Sequence, residues 1–515
     1  MSDVTRPPEY LAAVDLGSNS FHLAIARVIG AGSQLQVIDR VQERIQLAGG
    51  LSDNPNLSAA VQERALACLE RFSERLRNFP GATVRAVGTD ALRVAQNASA
   101  FIERCSVALG HPIEVLSGDE EARLIYRGVA LSLPPEPAGA ARPRELVLDI
   151  GGGSTECILG CGLEAEHTAS LHMGAVGFTN LYFNDGHITR ERFRRAQIAA
   201  QLMFERLPAP YHRGDWTRAF GSSGTLLALD DIMRANGWST NGITKDGLTK
   251  LREVLIGAGH AERLQVPGLK PTRATLIAAG AAIARAAFKA LPLRLLKSTS
   301  AALREGVLDD LISRVTAHDV RESTIQQLAA RFHVDAVQAG RVEETALQLF
   351  ETAHWFGPPG EHGLDCEAAE RARRYLVWAA RLHEIGVAIG FHGYHKHGAY
   401  ILANAVLPGF SRDDANVLSK LVLTHRRKLG RDIFQDLPPH LRELALKLAV
   451  LVRLAVRLNR NRADRPERAV ALEAAAKALT LTLPEGYLAA HPLTQADLDE
   501  DAERLQGVGL TLVVR

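Results

Sequence analysis

The chain has 515 residues, too many for one core, and its length points to roughly three or four domains. Hydrophobic residues make up 46% and charged residues 23%, ordinary for a globular protein, and a net charge of +2 gives no global case for a nucleic acid or a membrane surface. Five cysteines, an odd and sparse set, exclude a disulfide framework, and Cys157 and Cys161 stand four apart, which is no metal-knuckle spacing. No apolar run reaches the length of a membrane span, and the first residues lack a basic-then-apolar signal pattern, so the expected location is cytoplasmic.

In chain order, "YLAAVDL", "GSNS" and "FHLAIARVI" read as strand, turn, strand from Tyr10 to Ile29. Helical periodicity runs from about Leu57 to Asn78. A strand "TVRAVG" leads into a helical region, "IEVLSG" is a further strand, and "DEEARLIYRGVALSL" starts a helix. "PPEPAGAARPR", from Pro134 to Arg144, reads as a linker. The opening pattern then returns as strand "ELVLDI", turn "GGGS" and strand "TECILG". Helices and strands continue to about Asp310, with "FGSSGTLLAL" (Phe220 to Leu229) read as a loop. After about Ala317 long helical patterns run to Asn459, one of them spanning Thr324 to Phe356. "ALTLTLP" and "GLTLVVR" bracket a last helical stretch. Alternating strands and helices predict α/β layers for the first half, an all-α domain next, and a small α/β tail.

The two turns carry the chemistry. Glycine after a strand lets backbone N–H groups converge on an anion without a Cβ in the way. Serine and threonine add donors. A strand-end aspartate can hold a hydrated divalent cation against the same phosphate. Asp15 precedes one such turn and Asp149 the other. One is a weak signal. Two, at matching places in successive α/β halves, predict a duplicated fold with a shared cleft, an arrangement that resembles the actin, heat-shock-70 and sugar-kinase superfamily.

In "VLSGDEEARLIYRGV", Ser117 and Glu120 match a capping box and Asp119 suits a helix N-terminus. Glu121 is left over as a catalytic candidate. Glu156 shares a strand face with Ser154 and is placed to reach the cleft. Two carboxylates near a bound phosphate suit activation of water.

"VDLGSNSFHL", "AVGTDALRVAQN", "VLSGDEEARLIYRGV", "LDIGGGSTE" and "FGSSGT" occur in one order. Together they resemble the exopolyphosphatase and guanosine pentaphosphate phosphohydrolase family, and the later "RFHVDAVQAGRV", "WAARLHEIGVAIGFHGYHKHGAYIL" and "LPGF" resemble the helical domain of its long members. The resemblance implies ribonuclease-H-like domains at 1–133 and 134–317, a helical HD-like domain at 318–462 and a small α/β domain at 463–515. It implies Glu121 as catalytic base and Glu156 as a second essential carboxylate. Asp15, Asp149 and Glu156 would serve Mg²⁺, with K⁺ a candidate second cation. Gly17, Ser18, Asn19 and Ser20 match one phosphate turn, and Gly151, Gly152, Gly153 and Ser154 the other. Arg93 matches a phosphate-contacting arginine; a surface helix arginine is the alternative. Gly221, Ser222, Ser223, Gly224 and Thr225 match a third glycine loop, with a helix N-cap turn as the alternative.

In the HD-like domain a metal would need a histidine where Gln338 stands, and the His-Asp doublet reads His383-Glu384. An amide is a poor substitute for imidazole on a transition metal. Either the domain is a former metal fold offering a cationic surface, or His392, His395, His397 and His425 make a metal cluster. "THRRKLGR" (Thr424 to Arg431) and the arginines from Arg453 to Arg468 are either solvated faces or an anion-binding surface.

The leading expectation is an exopolyphosphatase acting on inorganic polyphosphate, favoured by that late basic character. Hydrolysis of pppGpp to ppGpp in the same cleft is the alternative. A kinase on the same scaffold and a non-enzymatic polyphosphate-binding or alarmone-binding regulator complete the set. A homodimer is implied by the resemblance, and no specific nucleic-acid partner.

Overall fold

The structure is a computed structural model that describes residues 8–29, 34–50, 56–134, 142–315, 319–355, 366–463, 470–475 and 477–515. Most of the predicted linker at 134–144 and the change of texture at 316–318 lie outside the described residues. The chain divides into two compact units, Met1–Val320 and Arg321–Arg515.

The first unit opens with β1 (Tyr10–Leu16), β2 (Ser20–Ile29), β3 (Gln34–Arg44) and the helix α1 (Ala59–Leu76). There follow β4 (Thr83–Gly88), α2 (Asp90–Val94), α3 (Ala98–Leu109), β5 (Ile113–Val115) and α4 (Gly118–Ser132). The second half runs β6 (Arg144–Ile150), β7 (Thr155–Cys161), β8 (Glu164–Leu171), α5 (Ala175–Tyr182), α6 (Arg190–Phe204), α7 (Ala209–Arg213), β9 (Arg218–Ser222) and α8 (Ser223–Ala235). It ends with β10 (Ile243–Thr244), α9 (Lys245–Ala258), α10 (Ala274–Ala290), β11 (Leu295–Ser298) and α11 (Leu303–Val315).

The first sheet has the order β3-β2-β1-β4-β5 and the second β10-β11-β9-β6-β7-β8. In each, three antiparallel strands continue into two parallel ones, so β8-β7-β6-β9-β11 repeats the first sheet, with β10 added at the edge. The central strands are buried on both faces and therefore read as continuous apolar runs. Along β1, Ala12, Val14 and Leu16 join one core while Leu11 and Ala13 join another. Along β6, Leu146, Leu148 and Ile150 face the α5–α10 side and Val147 the opposite side.

The two halves exchange a helix. Helix α4 follows the first sheet in sequence yet packs on β6, β7 and β8. Helix α11 follows the second sheet yet packs on β1, β2 and β4. The two helices cross in close contact at glycines. A Cβ on Gly128 would sit 2.1 Å from the Ala302 carbonyl oxygen, and one on Gly306 would sit 1.9 Å from that of Leu124. Asp310 on α11 clamps the crossing through Arg85 at 2.8 Å and Arg123 at 2.7 Å.

"FGSSGTLLAL" is not a loop: Phe220 to Ser222 end β9 and the rest begins α8 directly. The capping box at Ser117 is half present. Ser117 Oγ accepts from the Glu120 amide at 3.1 Å, but the Glu120 carboxylate turns to Arg123 at 2.7 Å.

The second unit contains α12 (Val320–Arg331), α13 (Ala336–Ala353), α14 (Cys366–Leu382), α15 (Tyr394–Asn404), α16 (Arg412–Thr424) and α17 (Pro439–Leu458). The helical pattern from Thr324 breaks into two helices, with Asp335 capping the second through the amides of Val337 and Gln338. The tail adds β12 (Ala471–Ala475), β13 (Ala478–Thr482), α18 (Tyr487–Ala490), α19 (Pro492–Gln506) and β14 (Thr511–Val514). Its strand residues Leu472, Leu479 and Leu481 share one apolar core with Leu376, Val422 and Leu451 of the helices. Among the described residues no helix is long and apolar enough to cross a membrane.

Candidate active site

Both strand-end acids sit at the C-terminal ends of central strands, where open α/β sheets bind ligands. Asp15 is the penultimate residue of β1 and Asp149 the penultimate residue of β6. Across the ladder from Asp149 lies Glu156; across from Asp15 lies His22. The turns that follow face each other. A Cβ on Gly152 would meet Ser18 and Asn19 at 3.2 and 3.3 Å, and one on Gly153 would lie 3.1 Å from Ser18 Oγ and 2.2 Å from Asp90 Oδ2. The two turns therefore build one site.

Each turn is held from behind by its carbonyls. Ser18 accepts from the Ala48 amide, and Asn19 from those of Ile45 and Gln46. Gly151 accepts from Ala175, and Gly152 from Val176 at the start of α5. With the carbonyls engaged, the amides of Ser18, Asn19, Gly152 and Gly153 find no acceptor among the described residues, the disposition of an anion-binding nest. The Gly151 amide is different: it closes its own turn on the Ser154 carbonyl at 2.9 Å.

The turns line a cavity of about 340 Å³ that also takes in Asp15, Glu121, Asp149, Glu156, Ser223, Gly224 and Thr225. Gly221 and Ser222 stay in β9 behind it; Ser222 lies opposite Asp149 in the sheet, and its hydroxyl donates to the Ala301 carbonyl at 3.2 Å. Ser223 adopts φ +86°, a strained conformation for a residue with a Cβ. Arg93 does not line the cavity. It sits half-buried behind Glu121, donating to Glu121 Oε2 at 2.6 Å and to the Leu116 carbonyl at 3.1 Å, with Asp90 at 3.5 Å. Glu156 Oε1 accepts from Ser170 Oγ at 2.8 Å.

Burial raises all four acids. Asp15 is pushed up to about 7 by burial, with Arg304 opposing and Glu121 and Asp149 adding to the rise. Asp149 reaches about 6 through burial, opposed by the neighbouring Ser222 hydroxyl and with the charge of Glu121 adding to the rise. Glu121 is raised by burial against the pull of Arg93. Glu156 is raised well above the carboxylate range by burial and the charges of Glu121 and Asp149.

Three buried acids and the half-buried Asp15 around one cavity favour a cation, and Asp15 Oδ1 and Asn19 Oδ1 are buried atoms with no partner among the described residues. These hard oxygen donors suit Mg²⁺. Among the described residues, however, no three acidic, histidine or cysteine side chains form a ready-made cage. A magnesium ion would take one or two of these carboxylates and complete its shell with water and phosphate oxygens, its usual habit.

The sequence did not single out His22, Arg273 and Arg304, which line the same cavity. Arg304 donates to His22 Nδ1 at 3.0 Å, and the ring is kept neutral, down to about 3, by burial and the charges of Arg304 and Arg273. Arg273 meets no carboxylate among the described residues; it occupies space that a Cβ on Gly224 would fill, 2.0 Å away. The period-2 alternation of β2 places His22 on the face of Ser20 and was the one available signal.

Two like sheets, each lending an acid and a glycine turn to one cleft, are the architecture of a phosphate-handling enzyme of actin-like fold. The Ppx/GppA phosphatase family profile matches residues 25–315, and the profile of domain III of the same family matches 320–502. A guanosine-5'-triphosphate,3'-diphosphate pyrophosphatase of Pseudoalteromonas atlantica is 38% identical over 96% of this chain and 94% of its own. One of Vibrio cholerae is 35% identical over 100% of this chain and 99% of its own. The crystal structure of an exopolyphosphatase from Cytophaga hutchinsonii shares the fold at TM-score 0.51 and 24% identity, covering 59% of this chain and 98% of its own. The chain belongs to the Ppx/GppA phosphatase family, and it is a hydrolase acting on phosphoanhydrides.

Proposed function

We propose that the chain hydrolyses guanosine pentaphosphate, pppGpp, to ppGpp and orthophosphate in the cleft of its first unit. The relatives matched along nearly their whole length carry that activity in their names. The chemistry rests on one observation, the Arg93–Glu121 pair at the cavity wall. Arg93 occupies Oε2, which leaves Oε1 to a water. Glu121 orients that water in line with the terminal phosphorus and takes its proton, and its raised pKa makes it the stronger base. A bond forms from the water oxygen to phosphorus as the bridging P–O bond breaks, and the electron pair leaves with the β-phosphate. The amides of Gly152, Gly153, Ser18 and Asn19 and the side chains of Ser20, Ser154 and Thr225 hold the phosphoryl oxygens, with Arg273 and Arg304 as cationic partners. Asp15, Asp149 and Glu156, or a subset of them, would hold Mg²⁺, which would supply charge neutralisation at those oxygens. Such positioning and neutralisation make up most of phosphoryl-transfer catalysis.

Exopolyphosphatase activity is the second reading. Its sequence argument, a basic surface late in the chain, is weakened for the stretch from Arg453 to Arg462 by the fate of its arginines. Arg453 and Arg457 are buried on Asp501 and Asp497, Arg460 pairs with Asp497 at 2.6 Å, and Arg462 pairs with Asp335 at 2.9 Å and Glu384 at 2.5 Å. We further read the two like sheets as ribonuclease-H-like domains, the helical part of the second unit as HD-like, and the assembly as a homodimer, which sedimentation would check. The deciding experiment is orthophosphate release with Mg²⁺ from pppGpp and from long-chain polyphosphate at equal terminal-phosphate concentration. Preference for pppGpp is expected; preference for polyphosphate would overturn the assignment.

A further inference from the structure

The second unit holds a cavity of about 550 Å³ that has no part in the reaction above. Its wall comes from the segment leading into α15, from the end of α16 and from Ile433. Lys396, Arg426, Arg427, Lys428, His392 and His395 line it, and no acidic side chain among the described residues does. Lys428 has its own partner in Asp432 at 2.8 Å, and Arg426 lies over the Tyr394 ring at 4.9 Å. Lys396 and Arg427 meet no carboxylate among the described residues. Like charges gathered on one wall repel at this range, and an anion between them reverses the sign.

Two further observations concern residues of the same wall. His395 is only 6% exposed and its Nδ1 has no hydrogen-bond partner among the described residues. A buried polar atom left so is costly, and a hydrogen-bond partner would recover that cost. Arg427 stands at φ +66°, a conformation that a side chain makes strained and that clusters at ligand sites. The cations act on the histidine: burial and the charges of Arg426, Lys396 and Arg427 push His395 down to about 4. The rest of the wall is apolar. Phe391 is 75% exposed at its edge, and Leu423 and Ile433 lie alongside.

We propose that this cavity binds a nucleoside diphosphate, its phosphates between Lys396 and Arg427 with His395 Nδ1 as a further donor, and its base on the exposed Phe391 ring. Aromatic faces stack on any base, and the volume lies within the range of small-molecule sites. The inference is independent of the substrate chosen in the catalytic cleft.

The test is hydrogen-exchange mass spectrometry on the full chain with GDP, compared with inorganic pyrophosphate. GDP is expected to slow exchange in residues 391–396 and 423–428, and pyrophosphate at equal concentration to do so more weakly. The double variant Lys396→Ala/Arg427→Gly is expected to weaken the GDP effect there at least ~10-fold while leaving any response of the catalytic turns unchanged. Arg427→Gly alone relieves the positive φ, so its Tm is expected to hold or rise, which separates lost binding from lost folding. Slowing confined to the catalytic turns, or an unaltered effect in the double variant, would overturn the site. Equal slowing by pyrophosphate would overturn the nucleoside assignment.

Discussion

The two halves of the first unit are built alike and charged differently. Each places an aspartate one residue from the end of its central strand, follows the strand with a glycine turn, and anchors that turn by its carbonyls. Across the ladder the second half places Glu156, a buried acid, where the first places His22, a neutral ring carrying Arg304. The repeated parts are those that any phosphate-binding cleft needs. The position that differs sets the local charge, so the second half gathers negative charge beside the turn while the first brings a cation to it.

If that asymmetry is functional, the largest effects fall on the acids. Glu121→Gln is expected to lower kcat by at least ~10²-fold while substrate binding is retained. Glu156→Gln should also cost ~10²-fold or more, whereas His22→Gln, which can still accept from Arg304, should cost under ~10-fold. Steady-state kinetics of the three variants would break the comparison if the His22 change proved as damaging as the Glu156 change.

The turns give a smaller effect. Gly153→Ala drives a methyl into Asp90 and through it disturbs Arg93 and Glu121, so kcat should fall roughly 10-fold or more. Gly177→Ala, whose Cβ meets nothing within 4 Å, is the matched control and should leave kcat unchanged.

The smallest effect is on stability against pH. Asp15 titrates near 7 and Asp149 near 6 in the folded chain, both above their unfolded values near 4. Between those values the folded state binds more protons than the unfolded one, so their contribution is full at low pH and is lost as pH rises toward 7. Without Mg²⁺, Asp15→Asn should therefore raise Tm by a few degrees at pH 8 and by less at pH 5, as calorimetry at the two pH values would report. An equal shift at both would show that Asp15 is not held protonated.

The backbone of this site was legible because its signals are local: Asp15 and Asp149 each precede a glycine turn within a few residues. Glu121 emerged because helix capping accounts for its neighbours, though Glu120 proved to serve Arg123 instead. What stayed hidden depends on long-range pairing. Arg304 reaches His22 across 282 residues of sequence, and Arg273 enters only because Gly224 leaves room. The arginines from Arg453 to Arg462 misled for the same reason. A run of positive charge is visible in sequence, but its burial against Asp497 and Asp501 some forty residues on is not.

The crossing of α4 and α11 has a consequence for how the chain is made. Leu11, Ala13, Ala24 and Ala26 of the first sheet are covered by a cluster that includes Leu303, Val307 and Leu308. A ribosome delivers those three residues only after the whole second sheet has emerged. The opening strands must therefore wait, one face uncovered, through most of the first unit's synthesis, and a nascent chain stalled before Leu303 should be the species that chaperones hold and proteases cut.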